Sequence, residues 1–524
     1  MLEFLQKYLS ELSGVDTIEI LLVAVVCLVA YKAIIKQVLL ILYYRLQGVP
    51  FVFVNPFDFK PQWIRDRICE LSQKYEKYFM YPLGPVFFLT LVDPEMIKDL
   101  LQRKIQHFEK SGPAKPVVRC MFRDGLAVAE GHMWKEQRKI MNKAFRNDNL
   151  IKMIPQIEEK TNTWVADIRN KISQGEDSFA EIDLNKAMVE FTSKGLVALV
   201  VGGHTDTKLD AKGFECVKWA NQCFKTCFEY VSSPTTLLFP QKVHLNLDSK
   251  TCEFNQTTDM ARKSILNVLS NRFEVLHQNP SFLDTEIDLL NLMIKGQCEG
   301  KNLPEALDDV NRDLIVDHLI AFFIAGVDTT ATALTCLFFN MSKYPETLQK
   351  MKDEVEHVFG EAFKKDPTNF ITNEGLAKLD YMTRALKENL RMRPPLPRLQ
   401  GRRALRDVKI GDLNVKKGTL LTVDPGFVQN HHGLWKNAEE FDPDREELKN
   451  DNLDMRWIPF AAGRRSCIGQ FFSMMESKVF LAKVLLQLDI RCEPDALDGL
   501  TFGFTVEFED GVKAIVSDLT ESAQ

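Results

Sequence analysis

Residues 460–469, Phe-Ala-Ala-Gly-Arg-Arg-Ser-Cys-Ile-Gly, are the stretch from which the rest of the chain is best interpreted. They place Cys467 in a short loop between Gly463 and Gly469, after two arginines and before a long helical pattern. A thiolate that binds a metal needs this setting, because backbone amides must approach the sulfur and positive charge must lower its pKa. The glycines permit the approach, and Arg464 and Arg465 supply the charge. An inert cysteine behind a basic turn is the alternative.

The composition is that of a large globular protein and argues against several functional classes. The 524 residues are 45% hydrophobic and 26% charged, with 36 Phe and a formal net charge of −6. A nucleic-acid-binding protein would show a basic surplus instead. The 11 cysteines are odd in number and irregularly spaced, which predicts a reducing compartment rather than a disulfide framework. Cys223 and Cys227 have no Cys/His cluster near them, so we interpret them as buried helical thiols.

The N-terminal region contains an unbroken apolar run at residues 20–31. Twelve residues are too short to span a bilayer, which takes about 20 in a helix. A helix over about residues 18–44 is long enough if Lys32 and Lys36 extend toward the lipid headgroups. Positive residues follow the run and acidic ones precede it, which predicts a single-pass anchor with the remainder in the cytosol. We therefore divide the chain into an anchor and linker, 1–47, and a catalytic domain, 48–524; a helix lying in the membrane surface is the alternative.

Beyond the anchor, the periodicity predicts a mainly α fold with small peripheral β-sheets. Helical patterns dominate residues 130–345, including one long helix over about 310–343, with polar loops near 202–213 and 296–304. Short strands are predicted at 408–410 and 413–415 on either side of Gly411-Asp412, and at 505–508 and 512–516 on either side of a turn with Asp510-Gly511. Strands and helices do not alternate regularly, which counts against a doubly wound sheet.

Three further motifs carry chemistry. Inside the long helix, Ala325-Gly-Val-Asp-Thr-Thr places an acid and a hydroxyl just after an apolar stretch, where polar groups are costly without partners. Glu388 and Arg391, three apart, can form an ion pair on one helix face, and Arg445 follows in Phe-Asp-Pro-Asp-Arg. Trp134 and Arg138, four apart, could both donate to one anionic group. A polar patch at a kink and a surface cation–π contact are the plainer interpretations of the first and third motifs.

Phe460, Gly463, Arg465, Cys467 and Gly469 resemble the haem-binding loop of the cytochrome P450 family, and the other motifs occur in that family's order from residue 134 onward. The resemblance implies a cytochrome P450 fold that binds haem b (iron protoporphyrin IX) with Cys467 as the axial thiolate.

The resemblance also implies a role for each remaining motif. Asp328 and Thr329 match the acid and threonine that deliver protons for cleavage of the O–O bond. Trp134, Arg138 and Arg465 match contacts to the haem propionates, and either Arg402 or Arg398 supplies another.

Glu388, Arg391 and Arg445 match a buried structural triad beneath the haem. Glu446 departs from the family, which usually has an aromatic residue there. A linker with only Pro50 and Pro56 departs from the proline-rich hinge of many membrane-bound members.

The implied function is that of a haem-thiolate monooxygenase, which inserts one oxygen atom from O2 into an apolar small molecule such as a lipid, sterol, fatty acid or xenobiotic. The segments predicted by resemblance to line its pocket are 103–123, 228–239, 317–325, 395–399 and 500–505. Isomerisation or dehydration of a peroxide without external electrons is the alternative reaction, and a haem- or sterol-binding protein is the non-enzymatic one.

Electrons must come from outside, because no dinucleotide fingerprint is evident. The resemblance implies an NADPH-dependent flavoprotein reductase, with cytochrome b5 as a further donor, and a place in the endoplasmic reticulum membrane. The helix with Trp134 is basic and, together with Arg464, could dock an acidic partner. Its cations are Lys135, Arg138, Lys139, Lys143 and Arg146.

Overall fold

The computed structural model describes most of the chain after the apolar N-terminal run. The described residues are 31, 35–52, 70–71, 74–83, 86–112, 115–175, 177–202, 207–231, 236, 240–246, 248–285, 287–301, 305–451, 453–497, 500–502, 505–508 and 510–519. The predicted anchor before residue 31 lies outside the described residues.

Helices form most of the described structure, as the periodicity predicts. The helices are α1 Lys36–Leu46, α2 Pro94–Lys98, α3 Lys115–Phe122, α4 Gly131–Ala144, α5 Asn147–Ile151, α6 Ile154–Gln174, α7 Leu184–Val201, α8 Thr207–Val231, α9 Ser249–Gln278, α10 Phe282–Thr285, α11 Leu289–Cys298, α12 Glu305–Asp308, α13 Arg312–Lys343, α14 Pro345–Lys365, α15 Asn373–Ala377, α16 Asp380–Met392, α17 Pro425–Val428, α18 Glu446–Lys449 and α19 Gln470–Leu485. The loops predicted near 202–213 and 296–304 are shorter than expected, because α8 begins at Thr207 and α11 ends at Cys298.

Helix α13 is the axis of the fold. Asn311 caps it by accepting a hydrogen bond from the Leu314 amide at 3.0 Å, and Pro345 starts the next helix just beyond its end. Helices α7, α8, α9, α14, α16 and α19 and strand β9 (Leu488–Cys492) pack against α13. Among the described helices it alone is long and apolar enough to cross a membrane, but 72% of its most apolar window is buried inside the protein. It is therefore a core helix.

The strands form small sheets at the periphery of the helical body. They are β1 Tyr78–Leu83, β2 Val86–Leu91, β3 Phe108–Lys110, β4 Phe179–Asp183, β5 Arg402–Ala404, β6 Val408–Ile410, β7 Leu413–Val415, β8 Leu420–Val423, β9 Leu488–Cys492, β10 Leu500–Phe502, β11 Val506–Phe508 and β12 Lys513–Asp518. The largest sheet has the order β1-β2-β8-β5-β3, and only β2 and β8 pair in parallel within it. A second sheet has the order β4-β12-β9, and β6-β7 and β10-β11 form two-stranded pairs.

The strands predicted on either side of Asp510-Gly511 are confirmed as β11 and β12, but they do not pair with each other. The strands on either side of this turn join different sheets, because β11 pairs with β10 while β12 pairs with β4 and β9. The turn residues are correct, with Gly511 at φ +71°, but the partners that strands find elsewhere in the fold override the local pairing. The thiols of Cys223 and Cys227 are buried in α8, as predicted.

Helix α1, the described end of the predicted anchor, packs on the largest sheet. Tyr44 is 1% exposed, and its hydroxyl lies 2.6 Å from Thr419 Oγ1 and accepts a hydrogen bond from the Lys416 amide. Gln47 continues this attachment through hydrogen bonds with the backbone of Asn414. A residue held against protein in this way is not surrounded by lipid, so the predicted spanning helix cannot include the Tyr44 turn.

Candidate active site

The cysteine loop is a compact turn that presents Cys467 to an internal cleft. The Cys467 amide donates to the Phe460 carbonyl at 2.9 Å, which closes the loop, and α19 begins three residues later. Gly463 has φ +71°, and a Cβ there would lie 2.3 Å from the Leu101 carbonyl oxygen, so only glycine fits. A Cβ on Gly469 would lie 4.0 Å from the Cys467 sulfur. Cys467 retains accessible surface although protein surrounds it, as expected of a group that lines a cleft.

The positive charge near the sulfur comes from a different residue than the sequence indicates. Burial raises the pKa of the Cys467 thiol, while the Gly469 amide and the Arg138 guanidinium act in the opposite direction. Arg464 is exposed, and Arg465 points away to an ion pair with Glu130. Arg138 reaches the loop from α4 and donates to the Ser466 carbonyl at 3.0 Å. The expectation that Arg464 and Arg465 hold the thiol pKa down is therefore wrong for the protein without bound haem.

Helix α13 loses its burial opposite this loop. The helix is almost continuously buried, but Ala325 is exposed and Asp328 and Thr329 are half-buried. The next residue, Thr330, lies 3.1 Å from Ser473 of α19, oxygen to oxygen, which ties this part of α13 to the helix that follows the cysteine. A cleft between α13 and the loop is indicated by the accessible Cys467 and the break in the burial of α13, which the contact of Thr330 with Ser473 brings together.

The acid and threonine predicted to move protons lie on this break. Thr329 Oγ1 donates to the Ala325 carbonyl one turn earlier, at 2.6 Å, as threonine does inside helices. Gly326 is where α13 approaches α7, because a Cβ there would be 3.0 Å from Leu196. The glycine therefore also serves packing.

The residues predicted to contact propionates gather at one edge of the cleft. Arg465 stacks over the Trp134 ring, with 4.0 Å from guanidinium carbon to ring centroid, and pairs with Glu130. Arg402 is 6% exposed, and its Nε has no hydrogen-bond partner within the part of the chain that the structure describes. Arg398, the competing choice, instead donates to Asp424 at 3.2 Å. Arg402 therefore fits a propionate contact better than Arg398, because its buried Nε has no described acceptor.

Lys110 belongs to the same group. It lies in the segment 103–123 predicted to line the pocket, but no motif marked it as a propionate contact. It lies directly opposite Arg402 in the β3–β5 register, where like charges destabilise a sheet. Its ammonium donates to the Ala127 carbonyl at 2.7 Å. Burial, with the charges of Arg402 and Arg465, lowers the pKa of Lys110 to about 7. Burial and the Arg465 charge lower the pKa of Arg402 to about 10. We call Lys110, Arg138, Arg402 and Arg465 the pocket cluster.

The pocket cluster indicates that a haem fits this cleft. Four cationic side chains face one described carboxylate, that of Glu130, and one of them has a buried donor without an acceptor. Burying charge without a partner is costly, so the cluster is suited to an anion supplied from outside the chain. The two carboxylates of a haem would supply that charge, and Cys467 would supply the thiolate for its iron.

The predicted structural triad is assembled and buried. Both Glu388 oxygens accept hydrogen bonds from Arg391, at 2.7 and 2.9 Å, and Arg445 Nε donates to Glu388 at 2.7 Å. The remaining guanidinium groups donate to backbone carbonyls of residues 429, 436, 437 and 440. Glu446, the residue that departs from the family, begins the short helix α18 at the surface, where an aromatic side chain is not needed.

The fold and the site together define a haem-thiolate protein, and comparisons with known proteins agree. The cytochrome P450 family model matches residues 46–501. A cytokinin hydroxylase from Arabidopsis thaliana is 26% identical over 455 residues, 86% of this chain and 82% of the relative. An 11-oxo-beta-amyrin 30-oxidase from Medicago truncatula is 27% identical over 445 residues, 82% of this chain and 78% of the relative. Cytochrome P450 3A12 from Canis lupus familiaris is 26% identical over 429 residues, 80% of each chain.

The chain belongs to the cytochrome P450 family and is a monooxygenase of that family. Like other members, it binds haem through a cysteine thiolate. The relatives named as a hydroxylase and an oxidase give no support to the isomerase or dehydratase alternative.

Proposed function

We propose that this monooxygenase hydroxylates or epoxidises an apolar small molecule, a lipid, sterol, fatty acid or xenobiotic, at the cleft between α13 and the cysteine loop. The observation that carries the proposal is the accessible Cys467 beside the break in burial at Ala325–Thr329. A haem bound there supplies the activation of O2 and the transfer of oxygen to the substrate.

The chain's own residues bind the cofactor and handle protons. Cys467 holds the iron as a thiolate, and the pocket cluster and Trp134 hold the propionates. Asp328 and Thr329 pass protons into the cleft from the α13 side; the threonine hydroxyl already lies in the helix groove where such a relay would begin. The triad of Glu388, Arg391 and Arg445 keeps the segment before the cysteine loop in place.

Electrons are supplied by an NADPH-dependent flavoprotein reductase or by cytochrome b5, docked on the α4 side of the cysteine loop. Lys143 and Arg146 are engaged with Glu299 and Asp148, and Arg138 is turned inward. The free cations of that face are Lys135, Lys139 and Arg464, which are exposed and have no ion pair among the described residues. This patch is smaller than the sequence suggests. The proposed location is the endoplasmic reticulum membrane, with residues 1–47 as anchor and linker and the catalytic domain, 48–524, in the cytosol.

The cysteine assignment is tested by the carbon monoxide difference spectrum of the reduced protein. Wild type should show the red-shifted Soret band of thiolate coordination, and Cys467→Ser should lose it entirely. Cys492→Ser is the matched control, since that thiol is buried away from the site beside Ser342, and it should keep the spectrum. An imidazole-type spectrum in wild type would exclude Cys467 as the ligand.

The proton relay is tested by Thr329→Ala, measured as product formed per electron consumed. The variant should retain haem but form on the order of tenfold less product per electron than wild type. The remaining electrons should appear as hydrogen peroxide. Thr335→Ala is a close control, because Thr335 makes the same bond to a carbonyl one turn earlier in α13 but is fully buried. Equal coupling in Thr329→Ala and Thr335→Ala would remove Thr329 from the relay. Substrate class is best found by titrating a panel of apolar compounds and following the iron spin state.

A further inference from the structure

Helix α1 is apolar on two opposite faces. Its inner face packs Leu40, Ile41 and Tyr44 against the largest sheet. Its outer face carries apolar side chains three or four residues apart that are between 46% and 89% exposed: Ile35, Val38, Leu39, Leu42 and Leu46, with Ile35 preceding the helix. An exposed apolar stripe of this kind marks contact with a protein partner or with a membrane, and the proposed membrane attachment favours the membrane. Because the sheet covers one face only, hydrocarbon is the natural environment of the other.

A cleft of about 260 Å³ lies between α1 and the sheet. Its walls include the apolar side chains of Leu40, Met80, Phe87, Leu89 and Leu420, and Lys36 and Arg403 also line it. Both cations are exposed, and neither forms a hydrogen bond or ion pair with any other residue that the structure describes.

The nearest acid on Arg403's side of the sheet does not neutralise it. Glu109 lies opposite Arg403 in the β3–β5 register, but its carboxylate is 3.5 Å from Lys115. Asp407, which does not line the cleft, is paired with Lys416 at 2.7 Å. The cleft therefore keeps two positive charges.

These features select an amphiphile with a negative headgroup. The apolar walls and the adjacent outer face of α1 suit acyl chains, and two cations at a membrane surface attract anionic headgroups. A soluble phosphate compound would leave the apolar walls without a partner. We propose that the cleft between α1 and the sheet binds the headgroup of one anionic phospholipid, with Lys36 and Arg403 holding its phosphate. The inference rests on the membrane attachment in the proposed function.

The test uses the full-length holoenzyme in bilayer discs of phosphatidylcholine and phosphatidylserine. The protein is released from the discs under mild conditions, and native mass spectrometry measures its mass with any retained lipid. Wild type should retain one phosphatidylserine. The double variant Lys36→Gln/Arg403→Gln should retain at least tenfold less, because two cations no longer face the headgroup. Arg45→Gln/Lys417→Gln is the matched control, since it removes two neighbouring exposed cations that do not line the cleft, and it should retain the lipid.

Each other outcome would contradict a specific part of the proposed lipid site. Equal loss in both double variants would mean a diffuse basic surface rather than a cleft, and retention in both would remove Lys36 and Arg403 from the site. Displacement of phosphatidylserine by millimolar inorganic phosphate would identify a soluble anion as the ligand. Wild type that binds neutral and anionic membranes but retains no lipid would overturn the headgroup site alone. Wild type that binds no membrane would overturn the attachment as well.

Discussion

The triad and the pocket cluster are two groups of buried cations. They differ in whether the chain itself supplies the partners of those cations. In the triad, Glu388 accepts from both Arg391 and Arg445, and backbone carbonyls accept the other N–H groups. In the pocket cluster, Glu130 is the described carboxylate that faces the cations, and the Nε of Arg402 has no described acceptor. The first group needs nothing from outside the chain, so it stabilises the fold. The second is satisfied only when an anion binds.

The largest effect is expected from breaking the triad. Glu388→Gln removes the charge that balances two fully or nearly buried guanidinium groups, so the free energy of unfolding should fall by about 3–5 kcal/mol. Denaturant unfolding of the protein without haem measures this loss. Glu446→Gln, at an exposed ion pair with Lys449, should change it by less than about 0.5 kcal/mol. If the two variants unfolded alike, the triad would not be a stability element.

The pocket cluster should respond in the opposite direction. Arg402→Met removes a buried cation without a carboxylate partner, so the protein without haem should keep or gain stability, whereas haem affinity should fall by on the order of tenfold. Lys110→Met should behave in the same way. Denaturant unfolding without haem and haem transfer to an acceptor protein separate the two quantities.

Neighbouring arginines provide the controls for this second prediction. Arg403→Met, one residue along β5 on the other face of the strand, should leave haem transfer unchanged, and so should Arg398→Lys, which keeps the pair with Asp424. Destabilisation of the haem-free protein by Arg402→Met would show that the cluster is complete without an anion, and the contrast with the triad would disappear.

The smallest expected effect is a change in the number of protons bound by the protein. The pKa of Lys110 in the haem-free protein is about 7, below its unfolded value, so the unfolded chain holds more protons than the folded one above pH 7. Stability of the haem-free protein should therefore rise with pH through that range. Bound propionates would restore the charged form of Lys110, so haem binding at pH 8 should take up close to one proton more in wild type than in Lys110→Met. The proton that the Cys467 thiol releases when it binds iron is common to both proteins.

Calorimetry of haem binding in buffers of different ionisation enthalpy measures the net number of protons exchanged by wild type and by Lys110→Met. Equal proton exchange in wild type and Lys110→Met would mean that no carboxylate of the haem lies near Lys110.

Local motifs in the sequence predicted the parts of the site that neighbouring residues build. The cysteine loop lies within ten residues, and Glu388 and Arg391 are one helical turn apart, so spacing alone brings them together. Lys110 could not be predicted, because it meets Arg402 only through the pairing of two three-residue strands far apart in the chain. The turn at Asp510-Gly511 was predictable, but the sheets that its two strands join were not, since distant strands decide which sheet each segment joins. The charge at the sulfur was assigned to the nearest arginines in the chain, whereas the folded protein uses Arg138.

Strand β5 has one more consequence, because Arg402 and Arg403 are consecutive and point to opposite sides of it. In the two proposals, Arg402 contacts the porphyrin and Arg403 contacts the lipid, with a single polypeptide strand between them. In that arrangement, the strand would set the distance between the iron and the bilayer. Insertion or deletion of one residue before β5 would turn each arginine to the opposite face of the strand. The enzyme would then lose its cofactor contact and its lipid contact together.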